Sequence, residues 1–299
     1  MTDLPGNQNQ GKDRDEDKQQ GTGTPRRIVI VGGVAGGASA AARARRLSES
    51  AEIVLVERGS HVSFANCGLP YHIGGAIADR NSLLVQTPEG LRKRFEIDVQ
   101  VRTEVLGIDR ERRRVTVRNL DTGLERSVPY DALILSPGAE PVRPPIPGSD
   151  DPAVFTLRTL ADMDAIKQVV DRFPSATAVV VGGGYIGLEM AEALRERGLG
   201  VVLVELSTQV MAPLDPEMAA PLNGELQLRG VDLRLGTSVK SIQRDGDGLM
   251  AALGTGETVR CQLVIMAVGV RPEVKLAREA GLAIGSRGGI VVDPHMRTS

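Results

Sequence analysis

The apolar positions of this chain fall in short unbroken runs rather than in long stripes. Ile28-Val29-Ile30-Val31, Ile53-Val54-Leu55-Val56, Ala132-Leu133-Ile134-Leu135, Ala178-Val179-Val180-Val181, Val201-Val202-Leu203-Val204 and Leu263 to Val268 each suit a strand buried on both faces. Such strands belong to a parallel sheet covered by helices. Two of the runs open directly onto glycine-rich turns, at Gly32-Gly33-Val34-Ala35-Gly36-Gly37 and at Gly182-Gly183-Gly184-Tyr185-Ile186-Gly187. After each comes an expected helix, to about Leu47 and to about Arg197, and then a second strand that ends in an acid, Glu57 or Glu205. The pattern predicts two βαβ units on one chain.

Between them, residues 101–128 alternate apolar and polar positions around Asp121-Thr122-Gly123, the pattern of a small antiparallel meander. The Arg110 to Arg114 cluster lies there and reads as a solvated hairpin face, since no aromatic residues interleave with it as a nucleic-acid surface would require. The strand ending at Leu135 runs into Ser136-Pro137-Gly138, and Pro141 to Pro147 reads as a stiff linker. A matching strand end leads into Gly269-Val270-Arg271-Pro272. The expected class is therefore α/β, with two dinucleotide-binding domains, parallel sheets and small antiparallel meanders. Residues 1–24 form an expected disordered tail, poor in large apolar side chains. The expected divisions are 25–148, 149–272, and 273–299 as a return toward the first domain.

Composition narrows the function classes. Lys plus Arg (36) and Asp plus Glu (38) nearly cancel, so no global field recruits nucleic acid or an anionic membrane. No apolar run reaches the roughly 18 residues of a membrane span and no secretion signal opens the chain, so the expected location is cytoplasmic. Thirty-five glycines suit tight strand-to-helix turns.

A dinucleotide pyrophosphate needs backbone N–H groups aimed at it from a helix N-terminus, with no Cβ in the way. Gly182, Gly184 and Gly187 supply that pattern in full, and Glu205 sits where a carboxylate accepts from the adenine ribose hydroxyls. A carboxylate there repels a 2′-phosphate, which favours NADH while leaving NADPH open. The first turn departs from consensus, with Val34 in the middle glycine place. Two dinucleotides on one chain suggest electron transfer between a flavin and a nicotinamide. No metal is called for.

The chain has two cysteines. Cys67 lies in a small-residue loop after the first βαβ unit, where a helix start would favour its thiolate. Cys261 enters a buried strand and reads as a packed residue.

The segment Ser63-Phe64-Ala65-Asn66-Cys67, joined to the two glycine turns, resembles the coenzyme A-disulfide reductases and the related persulfide reductases among the pyridine nucleotide-disulfide oxidoreductases, over about Arg26 to Ser299. The resemblance implies two Rossmann-like domains, with FAD on the first and NAD(P)H on the second. It implies that Cys67 carries the thiol of coenzyme A as a mixed disulfide, with Ser63, Asn66, Ser39, Arg43 and Arg46 on the substrate. Arg43 stands where the family usually has glutamine. Glu57 would meet the FAD ribose, Arg58 the adenine, and Ser136 and Gly138 the pyrophosphate side. Tyr185 resembles the aromatic gate over the flavin, beside Ile186, with Glu189 near the nicotinamide and Gly269 at the matching strand end. Relatives with an internal redox disulfide carry a second cysteine about five residues after the first. Here that residue is His72, read either as a base or as a surface or packing group.

Family members continue past Ser299 into a Gly-Asp strand end and a C-terminal dimerisation domain, and assemble as homodimers. The chain is accordingly expected to be a truncated piece that binds FAD poorly and turns over weakly. Val34-Ala35 replaces the Thr-His pair of peroxide-reducing and oxygen-reducing cousins, which counts against peroxidase chemistry. Three readings follow: reduction of a small disulfide or persulfide derived from coenzyme A, a water-forming NADH oxidase working through a Cys67 sulfenate, and a non-catalytic nucleotide-binding remnant.

Overall fold

A computed structural model describes residues 26–299, and the expected disordered tail, 1–24, lies outside them. The chain runs β1 (Arg27–Val31), α1 (Gly36–Leu47), β2 (Glu52–Val56), α2 (Leu69–Gly74), α3 (Pro88–Phe95), β3 (Ile97–Gln100), β4 (Thr103–Asp109), β5 (Arg114–Asn119), β6 (Glu125–Pro129), β7 (Ala132–Leu135) and β8 (Ala139–Pro141). It continues through β9 (Val154–Phe155), α4 (Leu160–Arg172), β10 (Thr177–Val181), α5 (Tyr185–Glu196), β11 (Gly200–Val204), α6 (Pro216–Leu228) and β12 (Val231–Arg234). The last elements are β13 (Val239–Asp245), β14 (Gly248–Leu253), β15 (Thr258–Cys261), β16 (Leu263–Met266), β17 (Val270–Pro272) and α7 (Lys275–Glu279).

Two parallel sheets carry the architecture, in strand order β3-β2-β1-β7 and β12-β11-β10-β16-β9. Their central strands are buried along almost their whole length, as the unbroken apolar runs require. Each fully buried Val, Ile or Leu there contributes roughly 1.5–3 kcal/mol. In both sheets the strand order reverses beside the strand that feeds the glycine turn, which opens a crevice at the carboxyl ends. Two meanders, β4-β5-β6 and β13-β14-β15, pack against one face of their sheets.

Two features tie the units together. Pro141, the first residue of the predicted linker, ends β8, which pairs antiparallel with β17 and so joins the exits of β7 and β16 in one ribbon. In addition, Phe64, Leu69, Ile73 and Leu83, which follow the first βαβ unit, share one apolar cluster with Met163, Ile166, Met190 and Leu194 of the second. The short helix α2 is thus part of the second unit's core. Arg80 reinforces the junction with a two-pronged pair to Asp164, 2.8 Å on each arm, and Arg197 donates to the Ile73 carbonyl at 3.3 Å.

Candidate functional site

The first glycine turn is built from backbone demands. Gly32 has φ +93°, and a Cβ there would collide with the Ser136 carbonyl on the neighbouring strand end. A Cβ on Gly37 would collide with the Gly32 carbonyl, so α1 can start only beneath a bare backbone. Gly33 N–H donates to Glu57 Oε2 at 2.7 Å, and Glu57 Oε1 accepts from Gly59 N–H at 2.6 Å. The acid that follows β2 therefore clamps the turn. Val34, in the middle glycine place, packs its side chain against the apolar cluster that holds Phe64 and Leu69.

The second turn repeats these contacts. Gly182 has φ +106° and faces the Ala267 carbonyl, Gly187 faces the Gly182 carbonyl, and Gly183 N–H donates to Glu205 Oε2 at 2.6 Å. Glu205 Oε1 accepts from Ser207 N–H at 2.7 Å. Gly184 differs, because a Cβ there would meet nothing within 4 Å. The same is true of Gly269, at φ +112°. Arg234, on the strand beside Glu205, turns its guanidinium to Asp232 and Glu257.

Helices α1 and α5 have no side-chain cap and no acid in their first turn. By contrast, Thr87 caps α3 and a Thr159–Asp162 capping box closes α4. An uncapped N-terminus behind a glycine turn offers N–H groups and a positive dipole end to an anion. Both turns fit the pyrophosphate of a dinucleotide on these observations.

The Cys67 loop hangs on the first turn. Ser63 N–H donates to the Gly33 carbonyl at 2.9 Å, and Ser63 adopts a left-handed φ of +47°. Its carbonyl accepts from Val85 and Gln86, at 2.9 and 3.1 Å, and Ala65 N–H reaches the Leu83 carbonyl at 2.8 Å. A 3₁₀ turn, Asn66–Gly68, then feeds α2. A Cβ on Gly68 would lie 2.5 Å from the buried Leu83 side chain, which would have to shift to admit it. Cys67 and Asn66 are exposed, and Asn66 Nδ2 donates weakly to the Arg158 carbonyl at 3.4 Å.

His72 is buried, with its Nδ1 2.7 Å from the Ile77 carbonyl, to which it donates. The imidazole closes the segment after α2, a packed position rather than a surface one. Cys261 is buried too, and burial pushes its thiol up to about 12. Of the two cysteines, only Cys67 is both accessible and beside a glycine turn.

Ser39, Arg43 and Arg46 share the exposed face of α1. Arg58 is exposed and lies 3.8 Å from Glu104. Ser136 N–H closes on the Val31 carbonyl at 2.8 Å, its hydroxyl faces Gly36, and Gly138 takes φ +77°. On α5, Tyr185 is 72% exposed, Ile186 packs inward, and Glu189 is held above the usual carboxylate range by burial and then by Glu192.

Sequence reasoning missed Arg158. Its guanidinium donates to the Pro137 carbonyl at 3.3 Å and sits against Gly138, while its own carbonyl receives Asn66. It joins the Cys67 loop to the end of β7. Nothing local in Leu157-Arg158-Thr159 signals this, since the partners lie far off in the chain.

Comparison with known proteins bears on this arrangement. The sequence profile of the pyridine nucleotide-disulphide oxidoreductases matches residues 26–299. The chain belongs to this family. Within it, the chain is 36% identical over 274 residues to the coenzyme A disulfide reductase of Staphylococcus haemolyticus (strain JCSC1435), covering 92% of this chain and 61% of that protein. The crystal structure of reduced Bacillus anthracis CoADR-RHD superposes with a TM-score of 0.89 at 49% identity, over 92% of this chain and 49% of the other. A NAD-dependent persulfide reductase from A. fulgidus gives 0.87 at 37% identity, over 91% and 51%. The chain thus spans about half to three-fifths of these relatives' lengths. No helix among the described residues is long and apolar enough to cross a membrane.

Proposed function

We propose that this oxidoreductase chain carries the nucleotide-binding and thiol parts of an NAD(P)H-dependent flavoprotein that reduces coenzyme A disulfide or a coenzyme A persulfide. The observation that carries the reading is a single accessible thiol, Cys67, hydrogen-bonded through its loop to an uncapped glycine turn, with a buried histidine where a second cysteine would stand.

On this reading residues 25–148, with the return over 273–299, hold FAD, and 149–272 hold NAD(P)H. Gly32, Gly33, Val34, Ala35, Gly36 and Gly37 would cradle the flavin nucleotide's pyrophosphate, with Glu57 on its ribose, Arg58 at the adenine, and Ser136 and Gly138 alongside. Gly182, Gly184, Tyr185, Ile186, Gly187, Glu189, Glu205 and Gly269 would line the nicotinamide nucleotide. Glu205, with the nearby Arg234 spent on Asp232 and Glu257, favours NADH. The bound flavin supplies two electrons to sulfur.

The chain's own residues perform the exchange. Cys67 thiolate attacks one sulfur of the substrate disulfide, forming a Cys67–S–S–R bond and releasing one thiolate. Two electrons and one proton then cleave that bond, returning Cys67 thiolate and freeing the second thiol. With no second thiol beside Cys67 among the described residues, the mixed disulfide would persist until the electrons arrive. Ser63 and Asn66 would contact the substrate beside the sulfur, and Ser39, Arg43 and Arg46 would meet its distal end.

Cys67→Ser in the flavin-loaded, full-length gene product tests the reading. Disulfide reduction is expected to fall by at least about a thousandfold, with slow oxygen consumption kept. Retained disulfide turnover would refute it. Oxygen consumption that is fast without any disulfide and is lost in the variant would favour the sulfenate oxidase instead.

A further inference from the structure

We infer that Arg45 is a positioning residue for the phosphate-bearing end of the substrate, a step that rests on the coenzyme A reading above. Its guanidinium touches no carboxylate. Nε donates to the Phe95 carbonyl at 2.8 Å, Nη1 to the Ser48 and Glu49 carbonyls at 3.2 and 2.6 Å, and Nη2 to the Glu96 carbonyl at 3.0 Å. These four acceptors lie at or just past the C-termini of α1 and α3. Such carbonyls have no partner within their helix and carry the negative end of its dipole. One side chain therefore satisfies two helix ends and fixes one to the other.

The apolar contact between those helices is thin. Helix α1 gives the shared apolar cluster only Ala40, Ala41 and Ala44, beside Leu91 and Phe95 of α3, and small side chains leave a helix free to slide. A planar fork with five donors holds both ends in register, whereas an ammonium would reach fewer acceptors without fixed geometry.

What the fork holds in register is charge. Arg43 and Arg46 on α1, and Lys93 and Arg94 on α3, are all exposed and make no ion pair among the described residues. Outside these two helices about half of the described arginines are ion-paired, as in Arg27–Glu52, Arg80–Asp164, Arg118–Glu125 and Arg234–Asp232, whereas on α1 and α3 only Arg92 is, to Glu89. Coenzyme A carries a diphosphate and a 3′-phosphate, and cations on two tethered helices meet several anionic groups at once. Arg45 touches none of them and sets where they stand.

Two disulfides separate the roles: coenzyme A disulfide, and pantethine, which keeps the reacting arm and lacks the phosphates. In the flavin-loaded, full-length protein, Arg45→Met is expected to lower the ratio of kcat/KM for coenzyme A disulfide to that for pantethine by about tenfold. The loss should sit in KM for coenzyme A disulfide, with kcat held. Arg45→Lys keeps the charge and should lower the ratio by roughly threefold, and it carries the test if the Met variant does not fold. An unchanged ratio in the folded variants overturns the inference, and so does an equal loss on both disulfides, which would mark Arg45 as merely structural. Failure of the coenzyme A reading shows separately, as a wild-type protein that does not prefer the phosphate-bearing disulfide, and takes this inference with it.

Discussion

The two glycine turns share one hydrogen-bond scheme and differ at the middle glycine place. Both clamp the turn N–H to the acid at the second strand's end, at 2.7 Å from Gly33 to Glu57 and 2.6 Å from Gly183 to Glu205. Both need glycine at the first and last positions, where a Cβ would strike backbone. At the middle position the first turn carries Val34, packed toward the Cys67 segment, and the second carries Gly184, with open space around it. The outer glycines are thus demanded by the fold, while the middle one is free to serve a ligand or a neighbour. A similar split runs through the cysteines: the thiol beside the first turn is exposed, and the one in the second unit is sealed in.

The strongest break in this symmetry would come from the fold glycines. Gly37→Ala and Gly187→Ala should each cost roughly 3 kcal/mol or more in urea unfolding, because only backbone can yield. Equal tolerance at both sites would show that the helices start differently from the geometry described.

Next in size is the contrast between thiols. Iodoacetamide should modify Cys67 at least about a hundred times faster than Cys261 in the folded protein, with both labelled in denaturant. Mass spectrometry of the alkylated peptides reads the ratio directly.

Gly184→Ala sharpens the difference between fold and ligand glycines. Its φ of −83° suits alanine and its surroundings are empty, so stability should stay within about 0.5 kcal/mol. NADH affinity, read by titration, should fall by about tenfold because the new methyl stands where the pyrophosphate would approach. A loss of stability with affinity kept would reverse the assignment.

The smallest effect concerns Glu189 on α5. Burial, then Glu192, hold its acid above the usual carboxylate range. The folded chain therefore favours the protonated acid. That contribution is present below the unfolded pKa and is lost as pH rises through the raised folded value. Relative to Glu189→Gln, the wild-type urea midpoint should decline over that window, upward from the ordinary carboxylate range. Parallel profiles would mean that Glu189 is solvated like any surface acid.

Much of the fold was legible because buried parallel strands announce themselves. The run 28–31 appears as β1 over 27–31, and the helices expected to end near Leu47 and Arg197 end at Leu47 and Glu196. The Asp121-Thr122-Gly123 turn lies between β5 and β6 as the alternation required. The site was legible only where chemistry and local sequence coincide, at the glycines, the two acids and Cys67. Arg158 and Arg45 escaped, because each acts on carbonyls, which every residue has and no motif advertises.

The amino-acid order by itself determined the strands, the two turns and which cysteine is packed away, since these follow from apolar runs, from positions where a Cβ is forbidden, and from local polarity. The tertiary structure alone decided that α2 belongs to the core of the second unit, that β8 pairs with β17, and that Arg45 binds two helix ends. Each of these joins residues distant in the chain through burial or main-chain hydrogen bonds. Such contacts depend on where the backbone comes together, and a sequence pattern carries no record of that.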